Sequence, residues 1–166
     1  MRFADFIVAV LLLSLTGCDS AAWLFGLSDA DGEYEGRINV KVQNPVFNRS
    51  FNGTLYISDR GRWAKLKDDY GRTYVADRVD YNYRNDTMAI IFTVTRTRYD
   101  SKCGNETWHW RVRMKGRIYS GNRYQGDVEI DIDPWDYYSE HCKLNNDPPP
   151  KYIGTFDMRR VSNYDW

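Results

Sequence analysis

The sequence predicts an all-β domain, most simply a small antiparallel up-and-down barrel of about eight strands, with a β-sandwich as the alternative. Apolar and polar residues alternate along most of the chain from residue 33 onward, which is the period of a half-buried strand. Short turn sequences such as Asp59-Arg60-Gly61 and Asn85-Asp86 separate the alternating segments. Helical periodicity is nearly absent from the same region.

Each predicted strand is defined by its own alternation. In the first, Tyr34, Ile38 and Val40 fall on one face, whereas Glu35 and Arg37 fall on the other. Such strands turn one face to a core and the other to water. The predicted strands cover residues 34–43, 50–58, 62–67, 72–84, 87–98, 107–119, 123–133 and 151–161.

A short repeat, aromatic-x-Gly-x-apolar-x-apolar, places a glycine in the inward register of several strands. The aromatic and glycine pairs are Tyr34 and Gly36, Phe51 and Gly53, Tyr124 and Gly126, and Tyr152 and Gly154. Glycine inside a strand marks a tight bend or a close approach of backbones. Bends repeated at matching positions favour a strongly curved or closed sheet over a flat sandwich.

Charged residues predict the register of the hairpin from Trp108 to Asp133. A three-residue loop, Ser120 to Asn122, brings opposite charges together, whereas a two-residue loop would set charged residues against apolar ones. The resulting pairs are Lys115 with Asp127, Arg113 with Glu129, Arg111 with Asp131, Met114 with Val128, Val112 with Ile130, and Tyr119 with Arg123. We interpret the charges as a cross-strand ladder, in preference to a metal site or a phosphate site.

The N-terminal sequence is typical of an export signal. Arg2 precedes an apolar run, Phe6 to Leu13, that is too short to span a bilayer, and small residues follow it. The stretch Leu15-Thr16-Gly17-Cys18 resembles the lipobox of bacterial lipoproteins, in which the cysteine receives a diacylglycerol and becomes the new N-terminus. The resemblance implies a signal peptide over residues 1–17, lipidation of Cys18 and attachment to a membrane through that lipid.

The rest of the chain then divides simply. Residues 18–32 form a lipid-anchored tether, and residues 33–166 form a single β-barrel-like domain. The apolar stretch Trp23 to Leu27 either packs on the domain or rests in the lipid interface. Asp19 resembles the retention signal of enterobacterial-type lipoproteins, which favours the periplasmic side of the inner membrane.

An ordinary secreted protein, cut after Ala22, is the alternative. Tripeptides of the form Asn-x-Ser/Thr would suit a secreted glycoprotein, although such tripeptides also arise by chance in loops. They begin at Asn48, Asn52, Asn85 and Asn105.

The cysteine count favours the lipoprotein interpretation. The chain has three cysteines, and an odd number in an exported protein needs an explanation. If Cys18 carries lipid, Cys103 and Cys142 remain, and an oxidising periplasm favours one disulfide between them. Alternating strand direction places both of these cysteines in connections at the end of the barrel away from the membrane.

The last connection is the predicted binding loop. Residues 134–150 form a long, aromatic segment that ends in three prolines, and binding residues commonly lie on such loops. Its candidate contact residues are Trp135, Tyr137, Tyr138 and His141. The alternative is that these aromatic side chains close the mouth of the barrel.

The prediction of function depends more on the classes of protein that the sequence argues against than on any motif that it contains. The formal net charge is zero, which does not suggest nucleic acid, and no catalytic, metal or cofactor motif is present. The sequence therefore predicts a non-enzymatic module, without metal or cofactor, that binds a protein or an envelope polymer, as an inhibitor, immunity or assembly factor does. Hydrolysis by the loop carboxylates Asp133, Asp136 and Glu140 is the least favoured alternative.

A carrier of a small apolar ligand is the main alternative, because the predicted barrel resembles the lipocalins in outline, although it has no lipocalin signature. Eight strands enclose either one small ligand or a filling of side chains. The inward residues are mostly large, among them Trp110, Met114, Phe92, Phe156 and Met158, which favours a filled interior. A cavity of several hundred Å³ inside the barrel would favour the carrier.

Overall fold

A computed structural model describes residues 30–42, 47–100, 104–132 and 151–163. Within these ranges the chain forms only strands and turns, which confirms the predicted all-β class. The strands are β1 (Gly32–Val42), β2 (Phe47–Ser58), β3 (Trp63–Asp68), β4 (Thr73–Val75), β5 (Arg78–Asn82), β6 (Thr87–Asp100), β7 (Gly104–Tyr119), β8 (Arg123–Ile132) and β9 (Lys151–Ser162). The part of the chain that the structure describes holds no helix with the length and apolarity needed to cross a lipid bilayer.

All nine strands belong to one curled antiparallel sheet, in the order β4-β3-β2-β1-β9-β8-β7-β6-β5. Consecutive strands are neighbours except β4 and β5, which lie at opposite edges, and β1 pairs with β9 at the middle of the sheet. The single sheet contradicts the alternative of a two-sheet sandwich. It confirms the up-and-down order of the meander.

The predicted strand over residues 72–84 is interrupted, so the strand count is nine and not eight. β4 pairs with β3 at one edge of the sheet, and β5 pairs with β6 at the other. Residues 76 and 77 connect β4 to β5. The N–H of Ala76 donates to the carbonyl of Ala64 at 2.9 Å, and the N–H of Asp77 donates to the carbonyl of Ile91 at 2.8 Å. Successive N–H groups of an extended chain point to opposite sides, so this segment bonds to both edges in turn.

The register predicted for the β7–β8 hairpin is confirmed at every predicted pair. Arg113 faces Glu129, and Tyr119 faces Arg123 across the turn. The N–H of Asn122 closes this turn on the carbonyl of Tyr119 at 3.1 Å. Charge on one face and apolar packing on the other therefore specify the same alignment.

The repeated glycines lie where neighbouring backbones approach closely, as the repeat predicts. A Cβ on Gly36 would collide with the carbonyl oxygen of Asp157, and one on Gly154 with that of Asn39. Gly126 is in a similar position against β7, whereas a Cβ on Gly53 would lie 3.2 Å from the nearest atom, the Lys67 carbonyl oxygen. Three of the four glycines thus permit close strand contact, and the fourth does so only weakly.

The two ends of the sheet are distinguished by their connections. We call basal the end where β1 begins and β9 ends, which also carries the turns 59–62, 83–86 and 119–122. We call the opposite end distal. The distal end carries the connections from β1 to β2, from β3 to β4, from β6 to β7 and from β8 to β9.

Inward side chains pack into one apolar core. The largest side chains that are almost completely buried are Tyr34, Tyr124, Phe92, Phe156, Ile38, Leu55, Ile57, Met88, Ile90, Met114, Met158 and Val128. Most of these lie in the basal and middle parts of the sheet. The predicted inward residue Trp110 is only partly buried.

Candidate functional site

The residues to which the sequence assigns a site lie outside the described ranges. These are Cys18, Cys103, Cys142, Trp135, Tyr137, Tyr138 and His141. The described strands do locate the connections that carry most of them. β6 ends at Asp100 and β7 begins at Gly104, while β8 ends at Ile132 and β9 begins at Lys151, all at the distal end. The pairing of Cys103 with Cys142 therefore stays a prediction.

Partly exposed aromatic side chains line the distal end of the sheet. Trp110 and Tyr152 lie in the inward register, with ring centroids 5.5 Å apart and a tilt of 43°. Trp108, also in the inward register, is partly buried, while His109 between the two tryptophans is exposed on the charged face. Burial raises the pKa of the Tyr152 phenol.

The interior is filled by side chains, which bears directly on the carrier alternative. The ring of Tyr124 packs on Phe156 with centroids 4.5 Å apart. Its hydroxyl donates to the carbonyl of Met88 at 3.1 Å and lies 3.4 Å from that of Met114. Burial raises the pKa of this phenol well above its usual value. A buried, hydrogen-bonded phenol therefore takes up part of the interior, which favours the filled interior that the sequence predicts.

A groove of about 630 Å³ lies instead on the outer face of the sheet. Its floor includes Gly36 and Gly53, which face each other across β1 and β2. Long polar side chains of the outer face form the walls, at positions that alternate with these two inward-register glycines. The other lining residues are Glu35, Arg37, Asn52, Thr54, Lys67, Asp68, Asp69, Asp157 and Arg159.

Charges of both signs are held in fixed positions at the groove. Arg123 binds Asp157 through two parallel bonds, from Nε to Oδ1 at 2.8 Å and from Nη2 to Oδ2 at 2.5 Å. The hydrogen bond from this guanidinium holds the pKa of Asp157 below its usual range. Such paired contacts fix the carboxylate in one orientation.

Asp68 is held just as firmly at the distal wall of the groove. Its carboxylate accepts bonds from the backbone N–H of Arg72 at 2.8 Å, from Arg72 Nε at 2.7 Å and from the hydroxyl of Tyr74 at 3.1 Å. Burial raises its pKa, but the bonds from Arg72 and Tyr74 outweigh burial, so the pKa lies below its usual value. The β3–β4 turn therefore has a fixed shape.

All three charge pairs of the predicted ladder face each other across β7 and β8 on the adjoining outer face, and Arg113 with Glu129 forms an ion pair. Arg113 Nη1 lies 3.0 Å from Glu129, whose other oxygen is 3.5 Å from Lys151 Nζ on β9. These side chains are more than a third exposed, and each pair contributes little to stability. The ladder is a feature of sheet alignment. Nowhere in the described ranges do three or more His, Cys, Asp or Glu side chains gather into a metal-binding group.

Sequence reasoning missed the groove, because its lining comes from β1, β2, the end of β3 and β9, which are far apart in the chain. The repeat glycines Gly36 and Gly53 lie in the inward register, so they gave no signal for a groove on the outer face. No protein-family model matches the chain, and no curated protein matches it.

Proposed function

We propose that this protein is a lipid-anchored, non-enzymatic binding module of the bacterial cell envelope. It engages a protein or an envelope polymer through its distal end, as an inhibitor, immunity or assembly factor would. The observation that carries the proposal is the filled interior, in which Tyr124 and Phe156 are almost completely buried and in contact. An interior packed with side chains along its described strands favours binding through the outer surface and loops.

Three further features belong to this proposal. Cys18 carries the lipid, and Asp19 keeps the protein on the periplasmic side of the inner membrane. A disulfide joins Cys103 to Cys142, because the two connections that carry these cysteines both lie at the distal end. The sheet closes as a barrel at residues 76 and 77, where one extended segment bonds to β3 and β6.

The groove supports a partner that is itself of mixed charge. Arg37, Lys67 and Arg159 line it together with Glu35, Asp68 and Asp69. Balanced charge of this kind complements a protein surface with both signs better than it complements a polyanion. A carrier of a small apolar ligand is less well supported, because mainly charged and polar residues line the groove and the described interior is packed.

The proposal is tested by crosslinking the membrane-anchored protein in its own host. The comparison is with a variant in which Trp135, Tyr137 and Tyr138 are changed to Ala. A control variant, Tyr70→Ala with Tyr99→Ala, removes tyrosines that are 78% and 73% exposed elsewhere at the distal end. We expect a crosslinked partner that the loop variant loses and the control keeps.

Two results would contradict the proposal. A partner that remains bound to the loop variant would remove the distal loop from the binding surface. Membrane association that persists in Cys18→Ala would contradict the lipid anchor. In the latter case the protein would be held by another contact, and the lipobox interpretation would be wrong.

A further inference from the structure

The three basal turns form one continuous surface, which we call the basal rim. It consists of residues 59–62, 83–86 and 119–122, together with the beginning of the described chain at 30–32 and its end at 160–163. The N–H of Ile118 donates to the carbonyl of Asp86 at 2.8 Å, and that of Arg160 to the carbonyl of Asn122 at 2.7 Å. Neighbouring turns are therefore tied to adjacent strand ends.

The chain that leads to the proposed anchor is fixed to this rim. The Asp31 carboxylate accepts the N–H groups of Arg60 at 2.9 Å and Gly61 at 2.7 Å. Burial raises the pKa of Asp31 even though these two bonds favour its charged form. Next to it, Ala30 is fully buried, and its carbonyl accepts the Tyr34 hydroxyl at 2.9 Å.

The length of the tether then limits how far the rim lies from the lipid. Eleven residues separate Cys18 from Ala30. Fully extended, they span about 40 Å at most, and less in any other conformation. The apolar stretch Trp23 to Leu27 shortens this reach further if it rests in the lipid interface. Of the two ends of the sheet, the basal rim is the one that the anchor holds near the membrane.

The exposed side chains of the rim have the chemistry of a membrane-facing surface. Arg60, Arg62 and Arg84 are exposed in the turns, whereas Asp59 is the one acidic residue that is exposed in these same three turns. Two tyrosines, Tyr83 and Tyr119, are 73% and 43% exposed. Arginine is attracted to anionic headgroups, and tyrosine is enriched at the boundary between headgroups and acyl chains.

Further cationic, aromatic and apolar side chains lie at the strand ends next to the basal turns. The guanidinium of Arg117 lies 5.8 Å from the ring centroid of Tyr119, so a cation and an aromatic ring occupy the same part of the rim. The side chain of Trp63 at the start of β3 is partly exposed, and Val161 near the end of β9 is 55% exposed. Cationic and aromatic groups therefore occur around the rim on β3, β7 and the turns, and β9 adds an exposed apolar side chain.

We propose that the basal rim rests on the anionic phospholipid surface to which the tether attaches the protein. This inference rests on the proposed lipid anchor, and it adds an orientation: the strands stand on the membrane, and the distal loops face away from it. Each arginine near such a surface strengthens the contact by about fivefold. The lipid attaches the protein to the membrane, and the contact of the rim with the headgroups sets the orientation of the strands relative to the bilayer.

The test uses the full lipidated protein, as matured by its host, in vesicles of phosphatidylethanolamine with phosphatidylglycerol and in vesicles of phosphatidylcholine alone. Hydroxyl-radical oxidation reports the exposure of four tyrosines. We expect oxidation of Tyr83 and Tyr119 to fall about fivefold or more in the anionic vesicles relative to phosphatidylcholine. Oxidation of the distal Tyr70 and Tyr99 stays unchanged, which gives an internal control in the same sample.

Two matched variants test the role of charge. Arg60→Glu with Arg62→Glu reverses two exposed cations of the rim, and we expect it to remove most of the protection. Lys41→Glu with Arg49→Glu reverses two exposed cations near the distal end and should leave the protection intact. Equal oxidation of all four tyrosines in detergent, variant against wild type, checks that each variant is folded.

The outcomes separate this inference from the proposal that it rests on. Lipidated protein whose rim tyrosines react equally in both kinds of vesicle would overturn the orientation and leave the anchor in place. Protection that persists in the rim variant would overturn the role of its arginines. A mass measurement that finds Cys18 without lipid would overturn both the anchor and the orientation.

Discussion

In the basal half of the sheet most inward side chains are almost fully buried, whereas in the distal half the inward aromatic side chains Trp110 and Tyr152 remain partly exposed. Met158, Tyr124 and Leu55 are at 0% exposure, but Trp110 and Tyr152 keep part of their surface accessible. The same strands run through both halves. The difference therefore lies in how completely the side chains close on one another.

This difference separates the part of the molecule that holds the fold from the part that we propose meets a partner. Buried apolar surface is the main source of stability, so the basal half contributes most of it. Aromatic side chains that keep part of their surface accessible are typical of recognition surfaces. The distal half thus has the composition expected of a binding end on a rigid base.

The largest effect that would test this division is the loss of a basal aromatic side chain. Phe156→Ala removes a ring that is 2% exposed, and we expect the free energy of unfolding to fall by about 3–5 kcal/mol. Trp110→Ala, in the distal half, should cost about 1–2 kcal/mol because that ring is only partly buried. Urea denaturation of both variants measures the two values. Equal losses would mean that the two halves are equally packed.

Substitutions of the strand glycines should lower the free energy of unfolding by smaller amounts. They test whether the strand backbones also pack differently in the basal and distal halves. Gly36→Ala and Gly154→Ala should each cost about 1–3 kcal/mol or more, since a Cβ would meet a carbonyl oxygen of the adjacent strand. Gly53→Ala is the matched control, and its unfolding free energy should stay within about 1 kcal/mol of wild type. If Gly154→Ala is as mild as the control, the strands separate more easily toward the distal end than at Gly36.

The smallest effect concerns the outer face, where the charge ladder crosses β7 and β8. Arg113→Glu should destabilise the protein slightly, and Glu129→Arg in the same chain should restore part of the loss, with a coupling energy of about 0.2–1 kcal/mol. A double-mutant cycle measured by urea denaturation gives this value. Zero coupling would show that the Arg113–Glu129 contact of 3.0 Å does not persist in solution.

Much of the fold could be predicted from local patterns. Two-residue alternation located the described strands within a few residues, except that it merged β4 and β5 into one, because one face of each strand is apolar. Opposite charges on β7 and β8 fixed their register, since any one-residue shift would place charge in the core. Both signals lie within a single strand or a single hairpin.

Features that depend on distant strands could not be predicted in this way. The interruption at Ala76 and Asp77 arises because one segment bonds to Ala64 on one side and to Ile91 on the other. The clamp of Asp31 on the turn at Gly61 joins residues thirty positions apart. No local pattern carries such information, and the groove was missed for the same reason.

The pairing of β1 with β9 has a consequence for how the chain is made. Ile38, near the beginning of the domain, faces Phe156, near its end, so the middle of the sheet is completed last during synthesis. Loop closure over so long a stretch is costly and slow. Until Lys151 and the residues after it emerge, β1 and β8 each lack a neighbour and present an edge to other chains. The nascent protein is therefore most exposed to aggregation just before its final strand arrives.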